Sequence, residues 1–388
     1  MIIYIPGDSA AVSVGADEVA AAIAQLAPTA RIVRNGSRGA LWLETLVEIQ
    51  TPYGRVAYGP VTAKDVASLF EADFLNGGVH PLALGKTDQI KWLATQDRVT
   101  FARVGVIDPL SLDDYMAHGG LIGLRKALKL STDAIINEVT ESGLRGRGGA
   151  GFPAGIKWRT VSQSYGSQKY ICCNADEGDS GTFADRMLIE GDPFTLIEGM
   201  TIAGIAVGAT QGFVYLRSEY PYAIATLQKA IDIARESDWL GNRVLGSTHA
   251  FDISIRVGAG SYVCGEETAM LESIEGKRGV VRAKPPLPAV EGLFGQPTVI
   301  NNVLTLSTVP MILSEGAEEY KARGVGRSLG TQVFQLAGNI ARGGIVERAF
   351  GVTLDELVNT YGGGTLSGLP LRAIQIGGPL GAYFSTAQ

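Results

Sequence analysis

Apolar positions recur along this chain in short runs broken by polar and glycine-rich stretches, and the period of the runs changes from region to region. Over the first 70 residues they predict strands at 2–5, 31–34, 46–50 and 55–58 and helices at 16–26 and 63–70, a small α/β unit. Gly77, Gly78 and Pro81 mark a linker. Residues 112–142 turn helical: Thr132 and Asp133 form a capping pair, and Ile135, Ile136 and Val139 share one face. Strands at 170–173, 213–216 and 253–257 then alternate with helices at 193–207, 222–235 and 266–275. That alternation predicts an α/β domain with parallel strands. Beyond Pro310 come strands at 332–337 and 344–349, a helix at 354–360 and a strand at 371–375. The expected divisions are residues 1–80, a linker and helical lead-in over 81–120, a main domain over 121–325 and a small unit over 326–388.

The chain has 388 residues, and 33 Lys and Arg against 39 Asp and Glu give a formal charge of −6. This mildly acidic balance argues against non-specific nucleic-acid binding. Two uncharged stretches, 199–216 and 292–314, are interrupted by Gly204, Gly208 and Gly212 and by Pro297, Asn301, Asn302 and Pro310, so no membrane insertion is expected. The start lacks a basic segment and a long apolar run, and three cysteines make no disulfide framework, which together predict a cytoplasmic protein. Glycine is the anomaly. Its 51 residues are nearly twice the usual ~7% share, with no collagen period to account for them.

Six of those glycines fall within residues 143–155, around Arg145 and Arg147, with Phe152 inside the segment and Lys157 just after it. Such a loop can bring backbone N–H groups against an anion, so it reads as a phosphate cradle; a flexible surface loop is the plain alternative. Gly146, Gly148 and Gly151 satisfy G-x-G-x-x-G, but the segment before them reads as helix, so the standard dinucleotide fingerprint is rejected. Asn174, Asp176, Glu177 and Asp179 follow a predicted strand, where ligands bind in open α/β sheets. A calcium loop would need Glu where Met187 stands, which leaves solvated surface acid as the rival. A third turn, 257–268, carries Tyr262, Cys264, Gly265, Glu266 and Glu267 from a strand into a helix. Packing is the expected role of Cys172, Cys173 and Cys264, since no His lies near them in sequence. Asn301 and Asn302, in an apolar context, either meet a flavin or cap the helix that follows.

In order and spacing, these four segments resemble the family of flavin-bearing, NADH-oxidising subunits of respiratory complex I, over about residues 115–385. The resemblance implies a central Rossmann-like FMN-binding domain with a parallel sheet, preceded by a thioredoxin-like unit and followed by a β-grasp-like (SLBB-like) unit. It implies FMN contacts from Gly146, Arg147, Gly148, Lys157, Asn174, Asp176, Tyr262, Gly265, Glu266, Asn301, Asn302 and Thr305, and NADH contacts from Phe152, Asp179 and Glu267. Asp179 and Glu267 stand nearest the chemistry, and no residue is assigned to a metal. Asp179 replaces a longer Glu of complex I, and Thr160 and Leu287 stand where two aromatics flank adenine. Hydride is expected to pass between NAD(H) and FMN, and electrons onward to iron–sulfur centres.

Within the family, Glu177-Gly178-Asp179 and the segment 107–120 look like the β (diaphorase) subunit of NAD-dependent molybdenum formate dehydrogenase. Diaphorase subunits of bidirectional NAD-reducing hydrogenases or of complex I come next, and a non-catalytic nucleotide-binding scaffold is the rival of a different class. The implied partners are an iron–sulfur γ-type subunit, thioredoxin-like with a [2Fe-2S] cluster, and a molybdenum-containing α subunit. Residues 35–45 hold no cysteine where such units ligate a cluster, and the family's [4Fe-4S] cluster is expected only in a chain extending beyond residue 388.

Overall fold

A computed structural model describes residues 1–385. They form two compact units: residues 1–109 with 333–348 and the chain from Val352 onward, and residues 110–332 with 349–351.

The first unit opens with β1 (Ile2–Tyr4), the short α1 (Ser9–Val12), α2 (Ala16–Leu26), β2 (Arg31–Val33), β3 (Val47–Thr51), β4 (Gly54–Tyr58), α3 (Val66–Glu71), β5 (Ala83–Lys86) and α4 (Lys91–Ala94). The sheet order is β2-β1-β3-β4-β5, with β1 and β2 parallel and the remaining pairs antiparallel. This is the thioredoxin-like arrangement. Ile3 of β1 and Ile5 just past its end, and Val19 and Ile23, four apart on α2, point into one core with Val47, Ile49 and Phe74. β5 lies in the stretch read as linker, because as a half-exposed edge strand it shows only weak alternation.

In the second unit α5 (Leu112–Ala117), α6 (Ile122–Ala127), α7 (Thr132–Glu141) and α8 (Ala154–Gln163) lead into β6 (Tyr170–Ala175). Ser131, one residue before the expected pair, caps α7 by accepting from the Ala134 N–H. The chain continues through α9 (Ala184–Gly191), α10 (Pro193–Val207), β7 (Gln211–Arg217), α11 (Pro221–Glu236), β8 (Asp252–Gly258), α12 (Glu267–Ile274), β9 (Thr298–Asn302), α13 (Val303–Glu315) and α14 (Ala317–Lys321). The four central strands are all parallel, in the order β8-β7-β6-β9. β6, β7 and β8 step outward in one direction and β9 returns to the opposite side of β6. The order therefore reverses between β6 and β9, the switch point at which open α/β sheets bind ligands.

α10 is buried along its whole length, which explains its largely apolar sequence without a membrane. At Gly199 a Cβ would lie 2.0 Å from the Leu306 carbonyl, so glycine is what lets α10 and α13 approach. The one acid in α10, Glu198, accepts from Tyr115 Oη (2.5 Å), Leu121 N and Leu124 N. No described helix is long and apolar enough to cross a membrane.

The remaining elements are the two-residue strands β10 (Gly324–Val325) and β11 (Ser328–Leu329), then β12 (Thr331–Leu336), β13 (Gly344–Ala349), a π-helical turn (Glu356–Tyr361), β14 (Ala373–Ile376) and β15 (Ala382–Ser385). Val346, Leu357 and Tyr361 share a core with Leu43 and Trp92 of the first unit. The expected helix at 354–360 is thus a π-turn.

Candidate flavin and nucleotide site

The site assembles at the carboxyl ends of the parallel strands. Asn174 and Asn302 are register partners on β6 and β9. The glycine-rich loop lies between α7 and α8, with no strand before it, and is closed by a bridge between Arg145 and Pro153 and by the Gly146 N–H donating to the Phe152 carbonyl (2.9 Å). Two contacts fix it over β9 and α13. The Arg147 N–H donates to Thr305 Oγ1 (2.9 Å), and Gly148 lies so close to Asn302 that a Cβ would approach Asn302 Cβ to 2.9 Å.

Arg147 departs from a phosphate-holding role. Its guanidinium donates to the carbonyls of Arg145, Leu329 and Thr331 and to Tyr320 Oη, and lies 4.9 Å from the Phe350 ring centroid. The side chain anchors the loop, because protein acceptors on that side outnumber its remaining donors. Lys157, one turn into α8, reaches the Ile300 carbonyl (2.7 Å) and lies 3.7 Å from Glu267. Burial lowers the affinity of its ammonium for the proton, against the pull of Glu267. Trp158 Nε1 holds Asn301 Oδ1 at 2.9 Å, leaving the Asn301 amide NH2 to face elsewhere.

Asn174 donates to the Gly265 carbonyl (2.8 Å) and accepts from the Asp176 N–H (3.2 Å), tying the end of β6 to the turn before α12. Glu266 caps α12, accepting from the N–H groups of Thr268 and Ala269. Lys284 bridges Glu266 (3.1 Å) and Glu267 (2.8 Å). Tyr262 Oη donates to Asp179 (2.9 Å), and that carboxylate pushes the phenol pKa upward. The rings of Phe152 and Tyr262 are 50% and 63% exposed and open to a flat ligand. The expected site residues thus fall into several bonded groups, Gly146–Phe152, Arg147–Thr305, Lys157–Glu267–Lys284–Glu266, Asn174–Gly265 and Tyr262–Asp179, joined by the chain turns at the strand ends. Asn302 serves as the helix cap of the second reading: Oδ1 accepts from Leu304 N, while Nδ2 donates to Asp185 (2.6 Å).

Sequence reasoning assigned no role to Asp185, Arg217 or Lys284. Asp185 is buried beside Glu177, and burial first and then Glu177 raise its carboxyl well above the usual range. Glu177, also buried, accepts from the N–H groups of Asp185 and Arg186 at the start of α9 and from Tyr220 Oη, so the acidic segment is not a solvated surface. An acid in the first turn of a short helix gives no pattern distinguishing a ligand-side role from a cap; only the fold brings Asp185 to Asn302. The three cysteines are buried, and burial pushes the Cys172 and Cys173 thiols up, in keeping with packing.

The cluster fits a flavin. Asp176 Oδ2 and Arg217 Nε are both buried without a hydrogen-bond partner among the described residues, one acceptor and one donor at the ends of adjacent strands. Burial raises the Asp176 carboxyl pKa, and Arg217 opposes that shift. At Gly146 a Cβ would find nothing nearer than 3.7 Å, so the loop presents open backbone. Such orphaned groups call for a polar ligand.

A family model described as the Nuo51 FMN-binding domain matches residues 139–311. Over 281 residues the chain is 48% identical to an NADH-quinone oxidoreductase subunit of Rhizobium meliloti, covering 72% of this chain and 67% of that protein. It is 49% identical over 286 residues to NADP-reducing hydrogenase subunit HndC of Solidesulfovibrio fructosivorans, covering 74% of this chain and 58% of that one. It therefore spans roughly three fifths of the length of such curated relatives. A crystal structure of NAD+-reducing [NiFe]-hydrogenase in the air-oxidized state matches 99% of this chain and 64% of its own, with a TM-score of 0.63 and 29% identity. The chain belongs to the complex I flavoprotein family, and FMN is its cofactor.

Proposed function

We propose that the chain is a diaphorase component, transferring hydride between NAD(H) and FMN and electrons on to iron–sulfur centres of its assembly. The observation that carries this reading is the buried, unpartnered Asp176 Oδ2 at the end of β6, next to the β6–β9 switch point, in the same unit as a glycine loop pinned to Thr305 through the Arg147 N–H. FMN, when bound, supplies conversion between a hydride's electron pair and single electrons. The protein's part is position and charge. Asn174, Asp176, Gly265 and Asn301 face the flavin, and Gly146 and Gly148 present backbone to its phosphate. Phe152, Asp179 and Glu267 line the nucleotide side, where the Tyr262–Asp179 hydrogen bond and the Lys157–Glu267–Lys284 chain fix the carboxylates. No side-chain nucleophile is required. Denaturing release should yield FMN, and the loaded protein should reduce a soluble dye with NADH; a protein that neither contains nor takes up flavin contradicts the reading.

We further propose, from Glu177-Gly178-Asp179 and the segment 107–120, that the assembly is an NAD-dependent formate dehydrogenase with γ-type [2Fe-2S] and molybdenum-containing α partners. A second reading, a hydrogenase diaphorase, is favoured by the relatives named for NADP and NAD+ reduction. Metal analysis of the native assembly separates the two. Molybdenum with formate-dependent NAD+ reduction is expected, whereas nickel with H2-dependent reduction assigns the second.

A further inference from the structure

Away from the flavin cluster, the first unit contains a cavity of about 320 Å3. It is lined by Lys91 and Trp92 of α4, by Arg342 from the turn between β12 and β13, and by Asn359, Thr360 and Tyr361 of the π-helical turn. Three observations bear on it. Among the described residues neither Lys91 nor Arg342 has a carboxylate within ion-pair reach, although 39 acids are distributed over the chain. Trp92 is 4% exposed, and its indole Nε1–H is buried with no acceptor. A donor shut off in this way is rare unless a ligand or water satisfies it. The third is the π-turn itself, a conformation concentrated at functional sites.

Arg342 is also held in place. Arg342 N donates to the Gly362 carbonyl (2.8 Å), and Ala341 N donates to the Gly364 carbonyl (3.0 Å), which docks the turn onto the end of the π-helix. Gly363, at φ +72°, leaves room for Arg342, since a Cβ there would sit 3.0 Å from its Nε. The guanidinium lies 5.9 Å from the Trp42 ring centroid, and Trp42 packs edge-on against Trp92 at 4.9 Å. Stacking of that kind leaves the N–H edge of the fork available for an anion. Tyr361 Oη, also in the lining, is committed to Arg348 and the Thr95 carbonyl.

We propose that this cavity binds a small dianion of the phosphate class, free phosphate or a compact phosphate monoester. Residues lining one compact space supply an ammonium, a guanidinium fork and an unpartnered indole N–H, and a phosphate gathers two charges and several acceptor oxygens on one centre where a dicarboxylate divides them. The site is independent of the flavin reading, because none of its residues belongs to that cluster.

The test is calorimetric titration of the flavin-loaded full chain, at constant ionic strength, with inorganic phosphate, glycerol phosphate and succinate. Flavin loading keeps the probe out of the FMN phosphate position. Saturable binding of phosphate or of the monoester is expected, with succinate at least tenfold weaker. K91Q and R342Q are each expected to weaken it at least tenfold, with flavin content and the ligand-free melting temperature unchanged. Both residues are exposed, so neither variant should fail to fold. A response to phosphate alone assigns the free anion, and a response to the monoester alone assigns the ester. No saturable binding, equal binding of succinate, or binding that survives R342Q overturns the proposal.

Discussion

Asp176 and Asp185 sit close together in the chain but do opposite work. Asp176 keeps one buried oxygen without a partner, as a ligand-facing group should, whereas Asp185 accepts from Asn302 and holds the end of β9 in place. Burial and Glu177 keep the Asp185 carboxyl protonated well above the usual carboxylate range. In the unfolded chain an Asp ionises near ~3.9. The stability tied to protonated Asp185 is therefore full below about pH 4 and is lost as pH rises through the higher folded value. Asp185→Asn keeps an acceptor for Asn302 and removes the titration. Urea unfolding should show the variant gaining on the parent between pH 5 and pH 8; an unchanged difference would mean Asp185 is ionised in the fold. Asp179 is half-exposed, and among the described residues its carboxylate accepts from Tyr262; the proposed function puts it on the nucleotide side. Asp179→Asn should alter KM for NADH several-fold, on the order of one charged hydrogen bond, with flavin content intact. Loss of FMN with unchanged nucleotide kinetics would count against that placement.

At the scale of elements, the glycine loop works because α13 and β9 hold it. Gly148→Ala brings a Cβ to 2.9 Å from Asn302, and Thr305→Ala strips the Arg147 N–H of its acceptor at a cost of about 1 kcal/mol. Both variants should retain less FMN after dialysis, Gly148→Ala the more so, and full retention would show that the loop does not carry the flavin. In the first unit, the segment between β2 and β3 leaves Glu44 half-buried. Burial and Asp8 push its carboxyl up to about 8, although Ser37 donates to it at 2.5 Å. Its contribution is present below about pH 4.5 and fades as pH rises through about 8. Glu44→Gln should therefore melt higher than the parent at pH 9 by more than it does at pH 5. Strands β6, β7 and β8 were legible as apolar runs, and α10 was read with its observed bounds, because burial on all sides leaves a clear signature. β9 was not, since it is short, follows Pro297 and ends in two Asn residues. The direction of the Arg147 side chain was illegible too. Arginine among glycines suggests an anion, and only the fold brings the carbonyls of Leu329 and Thr331 to meet it.

For the whole molecule, the separation of roles extends to the metal centres. The three cysteines are buried, two of them adjacent on β6, while a [4Fe-4S] cluster normally takes four thiolates. The 388-residue chain should therefore hold FMN with iron and acid-labile sulfide near zero, and stoichiometric iron would overturn the packing role of Cys172, Cys173 and Cys264. The four segments of the candidate site were legible in the sequence because each ends a strand or opens a helix, whereas the linkages among them are tertiary. The most direct measurement is an anaerobic titration of the FMN-loaded chain with NADH, following the flavin absorbance. Bleaching complete at about one NADH per flavin is expected, since one hydride carries the electron pair that FMN takes up. A flavin spectrum that stays unchanged in excess NADH would contradict hydride transfer at this site.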